Sequence, residues 1–213
     1  MRCHRTVLPL LSAVLCVAGT AQAQTCRGLF ALEDGSRTLG VASQVSGAVD
    51  VQYTLARPHS FLMLAGTSNS SGSTPATFGV VAEAGRPFGG SARRALQICP
   101  LGGVGYHAGK GSAYSRFTGH VGLATGIVWQ TASGVSLAPF VESQLVYDRQ
   151  SWTGNAVGTG AGTVRGRAAA GLGLLIGDRL ALRPAISDAF GGVGSLSGGS
   201  PDLSVTAGWR LRR

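Results

Sequence analysis

Charged side chains recur in segments of the sequence where apolar and polar residues alternate. In an extended strand this spacing places alternate side chains on one face, so the charges share the face that the aliphatic residues do not occupy. Carboxylates and guanidinium groups on one buried face can form ion pairs, and ion pairing is the chemistry that we expect of them. The set consists of Asp50, Glu83, Glu142, Asp148, Arg165, Arg167, Arg183 and Arg210.

Two histidines have partners that could support acid–base chemistry. Asp148 is a candidate to orient His120, His107 is the second histidine, and Ser112 and Ser115 lie between the two in the sequence. A histidine oriented by a carboxylate is the minimum unit for general acid–base catalysis. No motif marks a nucleophile, however, and these residues converge only if three register assumptions hold. We therefore expect no catalytic residues and no enzyme activity.

The first 23 residues have the features of an export signal. Arg2 and Arg5 give a positive start, an apolar run extends from Val7 to Ala18, and Ala21-Gln22-Ala23 is a small-x-small cleavage site. The apolar run is shorter than the ~20 residues that a spanning helix needs. We expect cleavage, with a mature chain that begins at Gln24.

Two cysteines remain after cleavage, Cys26 and Cys99. A pair of cysteines in an exported protein forms a disulfide more often than two free thiols, and we expect this bridge. Neither cysteine belongs to a C-x-x-C or Cys/His spacing, so no metal site is expected. Glycine pairs such as Gly89-Gly90 lack the strand, fingerprint and helix that cradle a phosphate, so no cofactor is expected either.

Composition excludes several classes of protein. The chain has 34 glycines and only 13% charged residues, which disfavours both long helices and a soluble domain. The net charge is +9, but Lys110 is the only lysine and the export signal contradicts a cytoplasmic address, so nucleic acid is not an expected partner. After the signal no stretch approaches ~18 uninterrupted apolar residues, which excludes helical membrane spans.

Alternation of apolar and polar residues predicts strands from about residue 36 onward. The clearest segments are Val49 to Leu55 and Leu203 to Leu211, in which every second residue is apolar. The same pattern predicts ten strands, near 36–45, 48–57, 60–67, 77–86, 96–107, 117–130, 135–149, 163–177, 180–189 and 202–211.

The connections between these segments indicate how the strands are arranged. Short turns at 57–60, 131–134 and 177–179 alternate with longer loops rich in glycine or serine at 68–76, 150–162 and 191–201. This alternation is typical of an antiparallel up-and-down transmembrane β-barrel. The tight connection at Ser46-Gly47 and the long one from Pro87 to Arg94 are irregular, so eight strands remain an alternative to ten.

A soluble β-sandwich or periplasmic barrel is the competing interpretation. Soluble sheets present a polar outer face and a bulky inner face. Here the non-apolar face is small, as at Ala169, Gly171 and Gly173, whereas Leu172 and Leu174 lie on the other face. Small residues inside and aliphatic residues outside favour a narrow barrel whose outer wall meets lipid.

The mature chain resembles the small outer-membrane barrels of Gram-negative-type bacteria, the class with opacity-like proteins and the OmpA-type transmembrane domain. The shared features are the export site at Ala21-Gln22-Ala23, the glycine-rich hairpins and a last strand that ends in spaced apolar residues through Trp209 and Leu211. The resemblance implies a location in the outer membrane, contact with its lipid and insertion by the barrel assembly machinery. The chain departs from the class in ending on Arg212-Arg213 rather than on an aromatic residue.

Together these features divide the chain into a signal peptide (1–23), a periplasmic amino-terminal segment (24–35) and an outer-membrane barrel (36–213). The Cys26–Cys99 bridge would then lie at the periplasmic rim and hold the amino-terminal segment across the base of the barrel. Amphipathic rings favour the head-group level, so we expect aromatic girdles. Their members are Tyr106, Phe117, Tyr147, Trp129 and Trp209.

Inside such a barrel the charged set becomes a lumenal network. A register near residue 148 opposite 165 would bring Asp148 beside Arg165, and Gly171 and Gly173 would leave room for Arg183 to reach Glu142. A barrel of ten strands or fewer is filled or nearly filled by its own side chains, so we expect a plug rather than a selectivity ring.

The function expected from this architecture is structural or surface-interactive, exerted by a monomer through its extracellular loops. A narrow pore for small solutes is the alternative from a different class. A hydrolase at the outer rim is a third and weaker alternative.

Overall fold

The computed structural model describes residues 24–31, 36–57, 59–69, 77–88, 96–109, 114–131, 134–152, 158–159, 162–177, 179–191 and 201–211. The expected export signal, residues 1–23, lies outside these residues. Within the described part of the chain no helix is long and apolar enough to cross a membrane.

The described residues form fourteen strands. Two short strands at the amino terminus, β1 (Gln24–Cys26) and β2 (Leu29–Ala31), form a hairpin of their own. The others are β3 (Ser36–Gln44), β4 (Ala48–Arg57), β5 (Ser60–Asn69), β6 (Thr77–Gly85), β7 (Leu96–Gly109), β8 (Tyr114–Ile127), β9 (Trp129–Gln130), β10 (Val135–Trp152), β11 (Gly158–Thr159), β12 (Thr163–Ile176), β13 (Leu180–Phe190) and β14 (Asp202–Leu211).

Ten long strands close into one antiparallel barrel. Each of them pairs with the next long strand along the chain, and the last, β14, pairs back with the first, β3. The two-residue strands β9 and β11 add to the ends of β10. The expected fold class, an antiparallel up-and-down barrel of ten strands, is therefore confirmed, and the alternative of eight strands is wrong.

Alternation along each strand separates an apolar outer wall from a polar interior. On β4, Val49 and Val51 are exposed whereas Gln52 and Thr54 are buried. Large apolar side chains are exposed on every long strand that the structure describes, which is the reverse of a soluble sheet. The sequence pattern therefore sets the inside and the outside of the barrel.

The interior has a small hydrophobic cluster in its lower half, where the chain enters and leaves the barrel. Its members are Cys26, Ala56, Phe61, Met63, Cys99, Leu101 and Ala124, with Leu29 packed against them. Because Cys26 and Leu29 belong to the amino-terminal hairpin, this hairpin is part of the core rather than an appendage.

Strand register determines the tilt of the barrel. Following paired residues around the barrel from Val41 in the two directions reaches β10 at Leu137 and at Arg149, which are twelve residues apart. With a rise of about 3.3 Å per residue and strands about 4.8 Å apart, this stagger corresponds to a tilt of about 40°.

The same geometry makes the two rims unequal. The strands end at similar heights at the lower rim, but at the upper rim β10 ends at Trp152 whereas β3 ends at Gln44. With the register and tilt above, the upper end of β10 stands about 18 Å higher than that of β3. The upper parts of β8 and β10 therefore form a wall that projects above the opposite rim, and we call residues 114–116 and 148–152 the projecting wall.

Closure between β3 and β14 requires a glycine at position 40. A Cβ atom at Gly40 would lie 2.9 Å from the carbonyl oxygen of Ala207 and 3.2 Å from the Cα atom of Gly208, and backbone cannot move aside. A Cβ atom at Gly66, which faces outward on β5, would meet nothing within 4 Å.

We therefore expect Gly40→Val to obstruct closure, whereas Gly66→Val leaves it intact. A closed barrel resists detergent until it is heated, so the measurement is the difference in gel mobility between unheated and boiled samples. The Gly40→Val variant should show several-fold less of the unheated, compact form than the parent. Equal amounts of compact form in the two valine variants would contradict the proposed seam.

Candidate functional site: a plugged polar lumen

The amino-terminal hairpin lies inside the barrel. A disulfide joins Cys26 to Cys99, with 5.6 Å between the two Cα atoms, and Cys99 is fully buried on the inner face of β7. The expected bridge is confirmed. The hairpin extends into the lumen rather than across the base of the barrel, because Cys99 is the fourth residue of β7 and faces inward.

Arg27, at the tip of this hairpin, binds two carboxylates of the barrel wall. Its Nη1 atom lies 2.5 Å from Glu83 Oε1 on β6, and its Nε atom lies 2.5 Å from Glu142 Oε2 on β10. His120 adds a contact of 3.0 Å from its Nε2 atom to Glu83 Oε2, and the Gln144 amide donates to Glu142. Both carboxylates are almost fully buried, so the opposite charge of Arg27 stabilises them, through hydrogen bonds to Glu83 and through an ion pair with Glu142.

Gly28, next to Arg27, allows the hairpin to pack against the wall. Its φ of 71° lies in the left-handed region, and a Cβ atom there would lie 2.8 Å from the ring of Phe140. Opposite it, a side chain at Gly173 would meet the backbone of Gly28. Glycine at both positions therefore permits a close approach between hairpin and barrel.

The expected contact between Arg183 and Glu142 does not form. Glu142 is bound by Arg27, and the space beside Gly171 is filled by the ring of Phe140, to which a Cβ atom at Gly171 would approach within 2.6 Å. The Arg183 Nη2 atom instead donates to Thr206 Oγ1 over 3.4 Å. The expectation was wrong because the ring of Phe140 occupies the space beside Gly171 and the amino-terminal hairpin occupies the space beside Gly173.

A second ion cluster lies near the upper rim. Asp148 accepts from Arg116 Nη2 at 2.5 Å and from Arg165 Nη2 at 2.6 Å, and it is itself almost fully buried. Asp148 pairs with Thr163 across the strands, so Arg165 reaches it diagonally from two residues along β12. The structure thus contains the contact that we expected between Asp148 and Arg165, and it adds Arg116.

The other charged residues of the set also face the interior. Asp50 is half-buried on β4, and Arg210 is buried on β14. Arg167 donates from Nη2 to Ser187 Oγ at 2.9 Å. All eight residues therefore lie on the inner face of their strands, and their partners depend on more than parity along the strand.

Arg27 and Arg116 are members of the lumenal ion pairs that the sequence analysis did not include. Arg116 has the same parity as His120 on β8, and extending the strand by three residues would have included it. Arg27 belongs to a short segment before the barrel, and no periodicity indicates that this segment enters the lumen.

The histidines do not form the arrangement considered for catalysis. His120 contacts Glu83 rather than Asp148, and His107 contacts Thr67 Oγ1 through Nδ1 at 3.1 Å. Ser115 has the outward parity of Phe117, and Ser112 lies outside the described residues. Asp148 does lie one strand over from His120, as expected, but it is bound by Arg116 and Arg165 and does not contact the histidine.

Aromatic side chains form an exposed band near the upper end of the outer wall. Tyr106 and Phe117 are directly paired across β7 and β8, and Tyr147 lies on the next strand. With the register and tilt given above, these three residues lie within about 3 Å of one height. Phe78 and Phe190, which we had not expected, lie at the same height within that range.

At the lower end Trp209 is exposed and Trp129 is partly buried in β9, opposite Leu137. Trp209 lies about 20 Å below the upper band. The apolar wall between the two aromatic levels is therefore close in height to the ~25 Å band of known transmembrane barrels.

The hairpin divides the lumen into two unequal cavities. Below it lies a cavity of about 50 Å³ beside Arg183 and Arg210. Above it lies a polar cavity of about 750 Å³ that opens at the upper rim. We call this upper cavity the vestibule; its floor carries Arg27, Glu83 and His120.

Fold and lumen together define a closed ten-stranded barrel with an apolar outer wall and a plugged polar interior. No protein-family model matches the sequence, and no curated protein matches it either. Among solved structures the chain is similar to Neisserial surface protein A, with 11% identity, a TM-score of 0.38 and coverage of 84% of this chain and 94% of that one.

Two further solved structures are similar over most of their length. The attachment invasion locus protein Ail of Yersinia pestis has 12% identity and a TM-score of 0.29, covering 83% of this chain and 95% of that one. Outer membrane phospholipase A from Escherichia coli has 13% identity and a TM-score of 0.28, covering 88% and 99%. The resemblance to small outer-membrane barrels is confirmed as one of architecture by the ten-stranded barrel itself.

Removing Glu142 tests the lumenal network. Glu142→Ala leaves Arg27 with one of its two carboxylates, and we expect the free energy of unfolding to fall by about 3 kcal/mol. Asp188→Ala, which removes an exposed carboxylate, should change it by less than about 0.5 kcal/mol. The measurement is urea unfolding in detergent, and coincident transitions for parent and Glu142→Ala would refute a stabilising network.

Proposed function

We propose that this protein is a monomeric outer-membrane barrel with a closed lumen, whose role is structural or surface-interactive through its projecting wall and loops. The observation that carries the proposal is the combination of an apolar outer wall with an upper rim that slopes by about 18 Å. An apolar wall supports a position in lipid, and a rim that extends on one side supports a surface role, because it could reach beyond that lipid.

Location in the outer membrane is supported by the outer wall. Side chains such as Val121 and Val141 are more than half exposed at mid-height. A continuous apolar surface of this size is unfavourable in water and favourable in lipid. A barrel satisfies its backbone groups internally, so it can enter the hydrocarbon layer. Export by a cleaved signal at residues 1–23, and insertion by the barrel assembly machinery through the strand that ends at Leu211, complete the proposal.

Interaction at the cell surface is supported by the charge of the projecting wall. Arg149 is exposed on its outer face, and Arg116 on its inner face shares the carboxylate of Asp148 with Arg165 of the neighbouring strand β12. Two arginines of the wall, with Arg165 beside them, outnumber one aspartate, and the resulting positive charge favours an anionic surface as partner. Nucleic acid is not proposed, because the wall faces out of the cell.

A closed lumen is supported by the way the hairpin is held. The disulfide closes a loop with a sequence separation of 73 residues, for which the chain-entropy estimate is about 4 kcal/mol. Arg27 adds two ion pairs at 2.5 Å. A narrow pore for small solutes is the alternative function, and it would require this hairpin to leave the lumen.

We do not propose catalysis. His120 and Glu83 are in contact, but Glu83 is also held by Arg27 at the floor of the vestibule. A carboxylate that is already neutralised by a guanidinium group is a weak partner for a general base.

Shortening the projecting wall tests the surface role. We expect cells whose barrel has residues 149–162 replaced by a two-residue turn and Arg116 replaced by serine to attach several-fold less to a heparin-coated surface than cells with the parent protein, because the upper end of the wall and both of its arginines, Arg116 and Arg149, are lost. His59→Ala, in the turn at the opposite end, should leave attachment unchanged.

Location of the wall is checked separately in the same cells. A membrane-impermeant maleimide should label Gln150→Cys in intact cells but not His59→Cys, and the native cysteines give no background because they are bridged. Surface labelling together with undiminished attachment of the shortened variant would refute interaction through this wall and leave a structural role.

Conductance separates the plug from the pore. We expect the parent to be silent in planar bilayers, whereas the Cys26→Ser/Arg27→Ala double variant shows small conductance steps because the hairpin is no longer held. Arg57→Ala, at the exposed lower rim, is the matched control and should be silent. Steady conductance of the parent would favour the pore, and a silent double variant would show that the hairpin is not what closes the lumen.

A further inference from the structure

The vestibule has the dimensions of a ligand site. Its volume of about 750 Å³ lies within the ~300–1,000 Å³ that is typical of small-molecule pockets. Among the described residues the hairpin lies between this cavity and the lower one, and the vestibule opens toward the upper rim. A lumen that is closed only by its own side chains would not require an open polar cavity of this size.

Two arginines on one side of the vestibule have no carboxylate partner within 4 Å among the described residues. Arg167 on β12 contacts only the Ser187 hydroxyl, at 2.9 Å. Arg183 on β13 contacts the Thr206 hydroxyl at 3.4 Å, and its Nη1 atom is buried with no hydrogen-bond partner in the described structure. Each guanidinium group carries five N–H donors, so most of their donor capacity is unused.

Arg167 and Arg183 differ in this respect from three other lumenal arginines. Arg27, Arg116 and Arg165 each lie 2.5–2.6 Å from a carboxylate oxygen. A largely buried guanidinium group is destabilising without a counter-charge. Arg167 and Arg183 therefore form the part of the lumen where a counter-charge from outside the chain would be most stabilising.

The carboxylates that line the vestibule do not supply this counter-charge by direct contact. Glu83 is bound by Arg27 and His120, and Asp202 accepts from Ser46 at the rim. Asp50 lies on β4, three strands around the barrel from β13. Asp188 is exposed with outward parity, so it contributes only at the rim.

We propose that the vestibule binds a small solute with two phosphate or carboxylate groups, one held by Arg167 and the other by Arg183. Arg167 pairs with Ala189 across β12 and β13, six residues above Arg183, so the two side chains bind opposite ends of an elongated anion. A guanidinium group matches the oxygens of such anions with two parallel N–H donors, which is the geometry that makes arginine the common residue for phosphate and carboxylate recognition. The hydroxyl groups of Ser187 and Thr206 lie beside the two side chains and add donors. This site goes beyond the proposed surface role, because it does not involve the projecting wall.

Calorimetric titration with pyrophosphate tests the site in the intact, oxidised barrel in a non-ionic detergent. We expect one site per barrel. Arg167→Gln and Arg183→Gln should each raise Kd at least tenfold, whereas Arg57→Gln, at the lower rim, should leave it unchanged. Equal Kd values for the parent and both lumenal variants, or an equal loss in Arg57→Gln, would overturn the proposal.

Correct folding of each variant is verified by the shift in gel mobility on heating. If a glutamine variant does not fold, Arg167→Lys and Arg183→Lys are used instead. Lysine retains the charge but lacks the two parallel N–H donors of the guanidinium group, and we expect about a threefold rise in Kd. Independently, Ser204→Cys carrying a bulky maleimide on the vestibule wall should abolish binding. Unchanged binding after this modification would place the anion elsewhere and overturn the site.

A phosphate group could also reach the protein as part of a lipid. A parallel titration with short-chain phosphatidic acid distinguishes the two sources, because acyl chains do not fit a polar vestibule. We expect pyrophosphate to bind more tightly than this lipid. Tighter binding of the lipid, unaffected by either arginine substitution, would place the phosphate site on the outer wall and refute a lumenal site.

Discussion

The contact of Arg27 with Glu83 and Glu142 is the interaction on which the rest of the interior depends. Two carboxylates that face one narrow lumen repel each other, and neither can be hydrated fully when it is almost completely buried. One guanidinium group with five donors can bind both. Since that group comes from the amino-terminal hairpin and not from the barrel wall, the barrel is electrostatically incomplete without its plug.

Three consecutive residues hold the plug by three different kinds of interaction. Cys26 bonds covalently to β7, Arg27 forms ion pairs with β6 and β10, and Gly28 allows backbone contact with β12. Each constraint makes the next easier to form, because a residue adjacent to a fixed point has little freedom left to lose. The hairpin is thus fixed at one depth in the lumen, and this depth separates the small lower cavity from the vestibule.

Strand positions could be predicted from sequence because each strand separates lipid from lumen. The alternation of apolar and polar residues predicted the ends of β4 and β14 as they are observed, and the ends of the other long strands within a few residues. Parity along the strands predicted that Asp50 and Arg183 lie on the inner face. The pairing partners could not be predicted in the same way. A pairing depends on side-chain reach and on what fills the space between walls, and for Glu142 that space is filled by a segment with no periodic signal. The Cys26–Cys99 bridge was predictable only because an exported chain with two cysteines has one possible pairing.

The shear of the barrel determines on which side its wall is highest. A stagger of twelve residues tilts the strands, and a tilted barrel whose lower ends are level must carry its longest strands on one side. The projecting wall is on that side. It lies directly above the upper aromatic band formed by Tyr106, Phe117 and Tyr147, and this band marks the upper limit of the apolar surface. The plug enters from the opposite end and stops below this level. One end of the molecule is therefore closed by its own chain, while the other combines an open vestibule with a raised basic surface, and this polarity follows from strand register and from the position of Cys99 on β7.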